Sequence, residues 1–424
     1  MKILDAQVKV IQDSRKKDTL ETHLIAREGN GKNVVSVASV PAGKSTGTHE
    51  AAVLEPKKAF HKLTEIRDKI TGVNFRDQHE FDALLLALDG TENKKNLGGN
   101  LILSLSLAFA RAFAIARNLE LYKYIRLLAT DLYELKTADS YGCSKPIFNV
   151  INGGAHVEIP ENWGKKFGIK KGLDFQEFQV IPTINDFGMA MSVGREYYRK
   201  LGKELARIYG GANVILGDEA GYVCPFKTNE EALEIMQELI SRHLYPLKIG
   251  LDAAASQFHV DKTNAYVVEK SERTPEELGI LYYNLAHRYE LVSLEDPYHE
   301  EAFEDFALLH KELPELLVVT DDLTTTNPLR LKKAIDEKSG NAILIKLNQI
   351  GTLSETISVV KLAYKNNWRT IVSHRSGETM DSFIADLAYA IGAWGLKSGS
   401  PGKPERTVKY NRLLDIWKKQ SVVF

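Results

Sequence analysis

Only two cysteines, Cys143 and Cys224, occur in the 424 residues. That scarcity excludes a disulfide framework and a cysteine-rich zinc site, and it leads us to expect a reducing, cytoplasmic setting. Charge of one sign is not in excess either: 55 Lys and Arg stand against 56 Asp and Glu, a net charge of -1. Such a balance leaves no electrostatic footprint for nucleic acid or for an anionic membrane. Long apolar runs are missing as well. The most apolar stretch, 101–116, carries Arg111 and is too short to span a bilayer, so it reads as a buried helix. The opening residues, MKILDAQVKVIQDSRKK, put charges where a secretion signal needs an apolar core. No internal repeat is visible. What is present is globular composition, 44% hydrophobic and 26% charged, with ample material for a core.

The first third predicts a small α+β domain. DAQVKVIQDSR and TLETHLIARE alternate in strand fashion and should pair as a hairpin; NVVSVASVP follows as a third strand. Three helical stretches come next, ending with NLILSLSLAFARAFAIARN. KTADSYGCSKP has no periodicity, and it separates an expected N-terminal domain at 1–136 from an expected second domain at 144–424. In the second domain, short apolar runs each end in polar residues: PIFNVIN, FQEFQVIPT, NVILGDE, LKIGLD, LVSLED, LLVVTDD, AILIKLNQ and TIVSHRS. From the third onward each precedes a helical pattern. Thr274-Pro275-Glu276-Glu277 is a capping box with proline in the first turn, and Lys338-Ser339-Gly340 suggests a glycine C-cap. Eight strands alternating with helices predict an α/β barrel of TIM type. Only a Gly- and Lys-rich loop separates the first two strands, so these should be antiparallel neighbours. The expected barrel is therefore irregular, ββ and then βα.

The C-terminal strand ends of such a barrel face one mouth, where the active site sits. Those ends supply Glu177, Asp218-Glu219, Asp252, Glu295-Asp296, Asp321-Asp322, Lys346 and His374-Arg375-Ser376. Helix capping explains any one such acid. Three successive strands ending in Asp252, Glu295 and Asp321 ask for more. Carboxylates at about 4 Å repel by ~4 kcal/mol per pair at an effective dielectric near 20. A cation relieves this, and all-oxygen ligands suit Mg²⁺ over zinc. Lys346 lies inside an apolar run, where an unpaired ammonium is costly. It reads as a partner of those carboxylates or as a base whose pKa is lowered by burial and by nearby metal charge. Arg375 and Ser376 can grip a phosphate through a guanidinium fork and a hydroxyl. Metal, lysine base and phosphate grip together describe proton abstraction beside a carboxylate on a phosphorylated acid. Gly43-Lys44-Ser45-Thr46 matches the end of a nucleotide-binding loop. Ala38 stands where its first glycine should be, and the strand-loop-helix frame is absent.

The motifs VPAGKSTGTHEA, LDGTENK, NVINGGAH, FQEFQVIPT, GDEAG, KIGLDAAASQF, SLEDPY, DDLTTTNP, LIKLNQIGTLSE, SHRSGET and KSGSPGKPER span nearly the whole chain. Through them the sequence resembles the enolase family. The resemblance implies an enolase-type barrel and Mg²⁺-dependent interconversion of 2-phosphoglycerate and phosphoenolpyruvate. It implies two Mg²⁺ ions, with Asp252, Glu295 and Asp321 binding the first and Ser45 the second, which arrives with substrate. By the same resemblance Lys346 is the base at C2. Glu219 is the acid at the C3 hydroxyl, supported by Glu177; His374 lies beside the leaving group, and His156 is on a closing loop. Gln176, Arg375, Ser376, Lys397 and Lys346 contact substrate. A homodimer or higher homo-oligomer in the cytoplasm is also implied, with no nucleic-acid or membrane partner. The alternatives are a paralogue acting on another acid substrate, or a non-catalytic binding protein on the same scaffold.

Four departures from the family pattern stand out. Asp13 to Thr19 reads DSRKKDT where the family has DSRGNPT, and Lys44 sits beside Ser45. The segment after His156 is longer and more basic, and Ala220 replaces a glycine next to Glu219.

Overall fold

The computed structural model of the protein describes residues 1–29, 31–43, 49–130 and 144–421. Strands β1 (Lys2–Gln12), β2 (Asp18–Arg27) and β3 (Asn33–Ser39) form an antiparallel sheet in that order. The expected hairpin is present, with Val10 opposite Leu20. Its turn is held by Asp13, whose Oδ1 accepts from the amides of Arg15 (2.8 Å) and Lys17 (2.9 Å). Lys16 takes φ 61° there, a left-handed conformation in which glycine is the unstrained choice.

Helices α1 (Pro56–Ile70), α2 (Gln78–Asp89), α3 (Gly99–Ala116) and α4 (Leu121–Leu128) complete this unit. By length and composition α3 could cross a membrane, but 83% of it is buried inside the protein. A helix apolar on nearly every face needs cover on every side, and the sheet and neighbouring helices supply it. Its polar atoms are satisfied locally: Thr22 donates to Ser104 Oγ at 2.7 Å, and Ser36 donates to the Ala108 carbonyl at 2.7 Å. Arg111 forks onto Asp381 of the second unit, at 2.5 and 2.7 Å.

The second unit is a closed eight-stranded barrel. Its strands are β4 (Lys145–Asn152), β5 (Glu177–Pro182), β8 (Leu247–Asp252), β12 (Ser293–Glu295), β13 (Leu317–Thr320), β14 (Ala342–Ile345), β15 (Arg369–Ser373) and β16 (Gly395–Lys397), and β16 pairs with β4 to close the circle. β5 runs antiparallel to both β4 and β8, while the remaining pairs are parallel. The ββ opening is thus as expected.

Strand membership differs at one place. NVILGDE is not a barrel strand: its residues form β6 (Ile215–Leu216), which folds back on β7 (Tyr222–Val223), and the pair hangs on β4 through one parallel bridge, Ile151 to Tyr222. The eighth stave is instead Gly395–Lys397, too short to show a period. β9 (His259–Val260), β10 (Ala265–Val268) and β11 (Ser271–Arg273) make a small separate antiparallel sheet.

The loop between β4 and β5 carries a short helix, Asn162–Phe167, that its composition did not suggest; Trp163 buries itself and anchors it. The capping box is present: Thr274 Oγ1 accepts from the Glu277 amide at 3.3 Å, and Glu277 accepts from the Thr274 amide at 3.0 Å. At the end of helix Pro328–Glu337 it is Lys338, not Gly340, that takes the left-handed cap, with φ 60°.

Side chains alternate along each stave, so every second residue points inward. Ile147, Ile181, Leu317, Val319, Ala342, Leu344, Ile371 and Trp394 form one apolar cluster that plugs the interior. By the same parity Glu177, Asp321 and Lys346 sit on the inward face above this plug, at the mouth, where Asp252, Glu295 and Lys397 join them. An apolar plug beneath a charged layer keeps water out from below and fixes each charged stem on a rigid strand.

Candidate active site

One cleft at the mouth is lined by His156, Gln176, Glu177, Glu219, Asp252, Asp321, Lys346, His374, Arg375, Ser376 and Lys397. All were expected at the site. Glu295 lies just beneath, buried, and Ser45 and Lys44 fall outside the described residues. Gly43, ahead of them, lines the same cleft. Ala42 and Gly377 exchange backbone hydrogen bonds of 2.9 and 3.0 Å, which pins that segment next to Ser376.

Lys397 Nζ is the hub of the acidic side. It lies 2.7 Å from Glu295 Oε2, 2.9 Å from Asp252 Oδ2 and 3.1 Å from Glu177 Oε2. Burial works against its charge, but these carboxylates outweigh it and hold the ammonium well above the usual lysine range. Burial, then Asp252, pushes Glu295 well above the ordinary carboxylate range. Its Oε1 is buried without a hydrogen-bond partner.

Lys346 pairs with Asp321, whose other oxygen accepts from Gln349 at 3.0 Å. Asp321's raising by burial is overcome by Lys346, so its carboxyl is held down; burial lowers Lys346 as expected, but Asp321 outweighs it and the amine stands above its ordinary value instead of below. Asp296 adopts φ 42°, which turns its carboxylate back to accept the amides of Asp321 (2.9 Å) and Asp322 (2.7 Å). Burial, then Asp322, raises Asp296; burial, then Asp321, raises Asp322 to about 7.

Such a set fits a divalent cation. Oxygen ligands of Glu295, Asp296 and Asp321 lie within 4.8 Å of one another, one carboxylate oxygen is orphaned, and no imidazole or thiolate is among them. Two lysines alone do not neutralise so many buried carboxylates.

The opposite wall carries the acid-base groups. Glu219 sits in the turn between β6 and β7, where Ala220 has φ 65°. Asn149 donates to Glu219 Oε2 at 3.0 Å, and His156 Nδ1 stands 3.7 Å from Glu219 Oε1 and 3.9 Å from Glu177 Oε1. Glu177 begins β5 instead of ending a strand; because β5 runs backward, its N-terminal end is at the same mouth. Burial, then Glu219, lifts Glu177 well above the carboxylate range, whereas Glu219, although buried, is held low beside His374 and His156.

The guanidinium of Arg406 can only donate, so His374 Nδ1, which it touches, must accept. The ring proton is then on Nε2, which faces Glu219 Oε2 at 3.2 Å. Burial pushes His374 down to about 4, so the imidazole is neutral at neutral pH.

Arg375 is locked by a residue that sequence reasoning missed. Glu50 accepts from its Nη1 at 2.9 Å and its Nη2 at 3.2 Å, both side chains buried. Other supports were equally unannounced. Arg406 donates to the carbonyls of Arg375 (2.7 Å) and Ser376 (2.6 Å), Gln179 donates to Glu177 (2.9 Å), and Arg15 reaches Ser376 Oγ at 3.3 Å and the Ala42 carbonyl at 2.9 Å. Only Asp296 carried a signal, as a polar residue at a strand end.

Comparison with known proteins agrees with this architecture. The family model described as "Enolase, N-terminal domain" matches residues 3–125, and "Enolase, C-terminal TIM barrel domain" matches residues 141–421. A protein named enolase from Methanocaldococcus jannaschii is 41% identical over 428 residues, covering 98% of this chain and 94% of that protein. Enolases of Methanococcus vannielii and Pyrococcus furiosus are 40% and 39% identical over the same shares of both chains.

Proposed function

This chain belongs to the enolase family and is an enolase, a hydro-lyase, and we propose that it interconverts 2-phosphoglycerate and phosphoenolpyruvate with the side chains gathered at its barrel mouth. The observation that carries the assignment of roles is the placement of Lys346 and Glu219 on the walls of one cleft, with Arg375 and Ser376 beside them.

In the dehydration direction Lys346 Nζ takes the proton from C2, and the electron pair of that C–H bond moves toward the substrate carboxylate. The pair then returns to form the C2–C3 double bond as the C3–O bond breaks. Glu219 gives a proton to the departing hydroxyl, which leaves as water. The Glu177–Glu219 pair holds that proton: two buried carboxyls so close resist joint ionisation, and His156 and His374 border them. Arg375 and Ser376 grip the phosphate, Gln176 and Lys397 orient the substrate, and the loop bearing His156 shuts out water.

Two Mg²⁺ ions, held by Asp252, Glu295 and Asp321 and by Ser45 with substrate, would supply electrostatic stabilisation of the charge that grows on the substrate carboxylate. For Lys346 to accept a proton its pairing with Asp321 must be relaxed, after which burial alone favours the neutral amine. The same reading takes 1–136 and 144–424 as the two domains, a homodimer or larger homo-oligomer as the assembly and the cytoplasm as the location.

Ultraviolet absorbance of the enol double bond tests the proposal. Wild-type protein with 2-phosphoglycerate should form product only with Mg²⁺. Lys346→Ala should lose about 10²–10⁴-fold in kcat, given what a removed general base contributes. No Mg²⁺-dependent product from folded wild-type protein would overturn it.

A further inference from the structure

Outside the cleft, two histidines and an aspartate converge on the small sheet that follows β8. His259 opens β9, Asp261 follows it, and His299 lies in the loop after β12. One ligand atom from each lies within 4.8 Å of the other two. The two imidazoles stack with centroids 4.4 Å apart, and Tyr266 backs His259 at 4.9 Å.

With Asn264 presenting its amide oxygen to Nε2, the hydrogen bonding of His259 does not close for a neutral ring. Its Nε2 faces Asn264 Oδ1 at 3.0 Å, and its Nδ1 faces Asp261 Oδ1 at 3.1 Å. Both oxygens can only accept, and a neutral imidazole carries a single N–H. If Nε2–H serves Asn264, then Nδ1 and the carboxylate present lone pairs to each other, and a cation belongs between them. A second imidazole at the same spot supplies another nitrogen donor, which a proton does not need and a metal ion does.

We propose that His259, Asp261 and His299 bind one divalent transition-metal ion of the zinc class, with water completing the coordination. Imidazole nitrogen selects such an ion over Mg²⁺, so this site is chemically separate from the all-oxygen cluster at the barrel mouth. Bonds of about 2.0–2.2 Å set neighbouring tetrahedral ligands about 3.3–3.6 Å apart. The His259–Asp261 separation of 3.1 Å needs only a few tenths of an ångström of opening to reach that. Asp261 is 92% exposed and can swing, and the bond that His299 Nδ1 accepts from the Glu301 amide is long, at 3.3 Å, so it yields readily. Asn264 fixes the His259 tautomer as an outer partner does in known zinc sites. The bound ion would staple β9 to the loop after β12. That loop also holds His49 through Glu301, at 2.8 Å.

The test uses the full chain, stripped by chelator and then saturated with Mg²⁺. Zn²⁺ is titrated in competition with a chromophoric chelator. Wild-type protein should take up one Zn²⁺ equivalent that His299→Gln lacks, and Asp261→Asn should bind it at least about tenfold more weakly. Zinc should raise the unfolding midpoint of wild type but not of His299→Gln. Asp261 is too exposed for its substitution to prevent folding, and Mg²⁺-dependent turnover without zinc should be the same in all three proteins. Equal stoichiometry and affinity in wild type and both variants, or no added equivalent in wild type at micromolar zinc, would overturn the site.

Discussion

Glu50→Gln removes one charge from an ion pair sealed inside the protein, and two of its effects have opposite sign. Glu50 and Arg375 meet through two hydrogen bonds, and Asn348 accepts a third from the same guanidinium at 3.0 Å. Taking the carboxylate from a buried pair costs about 3–5 kcal/mol. The glutamine carbonyl still accepts one bond, which brings the expected loss to about 2–4 kcal/mol. The free protein should therefore unfold at lower denaturant.

Phosphate binding should move the other way. A carboxylate behind Arg375 repels an incoming phosphoryl group; for unit charges roughly 6 Å apart at an effective dielectric of 20 this is about 3 kcal/mol. Less precise aiming of the guanidinium takes back about 1 kcal/mol, the worth of one hydrogen bond. The balance favours tighter binding by about 1–2 kcal/mol, roughly five- to thirtyfold. Inorganic phosphate as a competitive inhibitor reads this directly, and ligand should raise the unfolding midpoint more in the variant than in wild type. Unchanged stability together with weaker phosphate inhibition would refute the reasoning, because Glu50 would then aim Arg375 without loading it electrostatically.

Arg406→Lys should lower kcat/KM by about 10²-fold with the fold retained by circular dichroism: a point charge cannot serve His374 and the carbonyls of Arg375, Ser376 and Asp218 at once, and about 3 kcal/mol of positioning is lost. Gly194→Ala should destabilise by about 1–2 kcal/mol in denaturant titration, because a Cβ there would lie 2.1 Å from the Phe148 ring and overpacking exceeds the gain in helix propensity. His374, neutral when folded with a pKa near 4 and about 6.5 when unfolded, binds a proton more readily unfolded between those values. Its contribution is therefore complete above pH about 6.5 and fades as pH falls toward 4, so the stability difference between wild type and His374→Gln should shrink by about 2.5 kcal/mol between pH 7.5 and 4.5.

The acidic mouth was legible because strands report their interior face through a period of two, and a carboxylate closing an apolar run has few bland explanations. Strands too short to hold a period were not. Gly395–Lys397 shows nothing beyond an apolar Leu396 between two turns, while NVILGDE has the composition of a stave without being one. Glu50 and Arg406 illustrate a second limit. Each is a charged residue in a polar stretch, and each becomes buried only when segments distant in the chain dock. Glu50 meets a partner 325 positions away. Ala220 was noticed as a replacement for glycine, but only the backbone shows why glycine is usual there: φ is 65°. Lys16 repeats the lesson at the first hairpin.

The reversed strand explains how one barrel gathers these groups. Were β5 parallel to its neighbours, Glu177 would open at the bottom of the barrel and could not stand opposite Asp252, as the register shows it does. Reversal brings the start of β5 to the mouth, and Lys397 can then bridge Glu177, Asp252 and Glu295 from a third direction. It also puts both ends of segment 153–176 at the mouth, because β4 arrives there and β5 departs from there. His156 and Gln176 come from opposite ends of that segment. Whatever its middle contains, including Lys165, Lys166, Lys170 and Lys171, can change length and charge without moving either. The longer basic segment of this chain is therefore compatible with an intact cleft, since its ends are fixed by sheet hydrogen bonds and not by its own sequence.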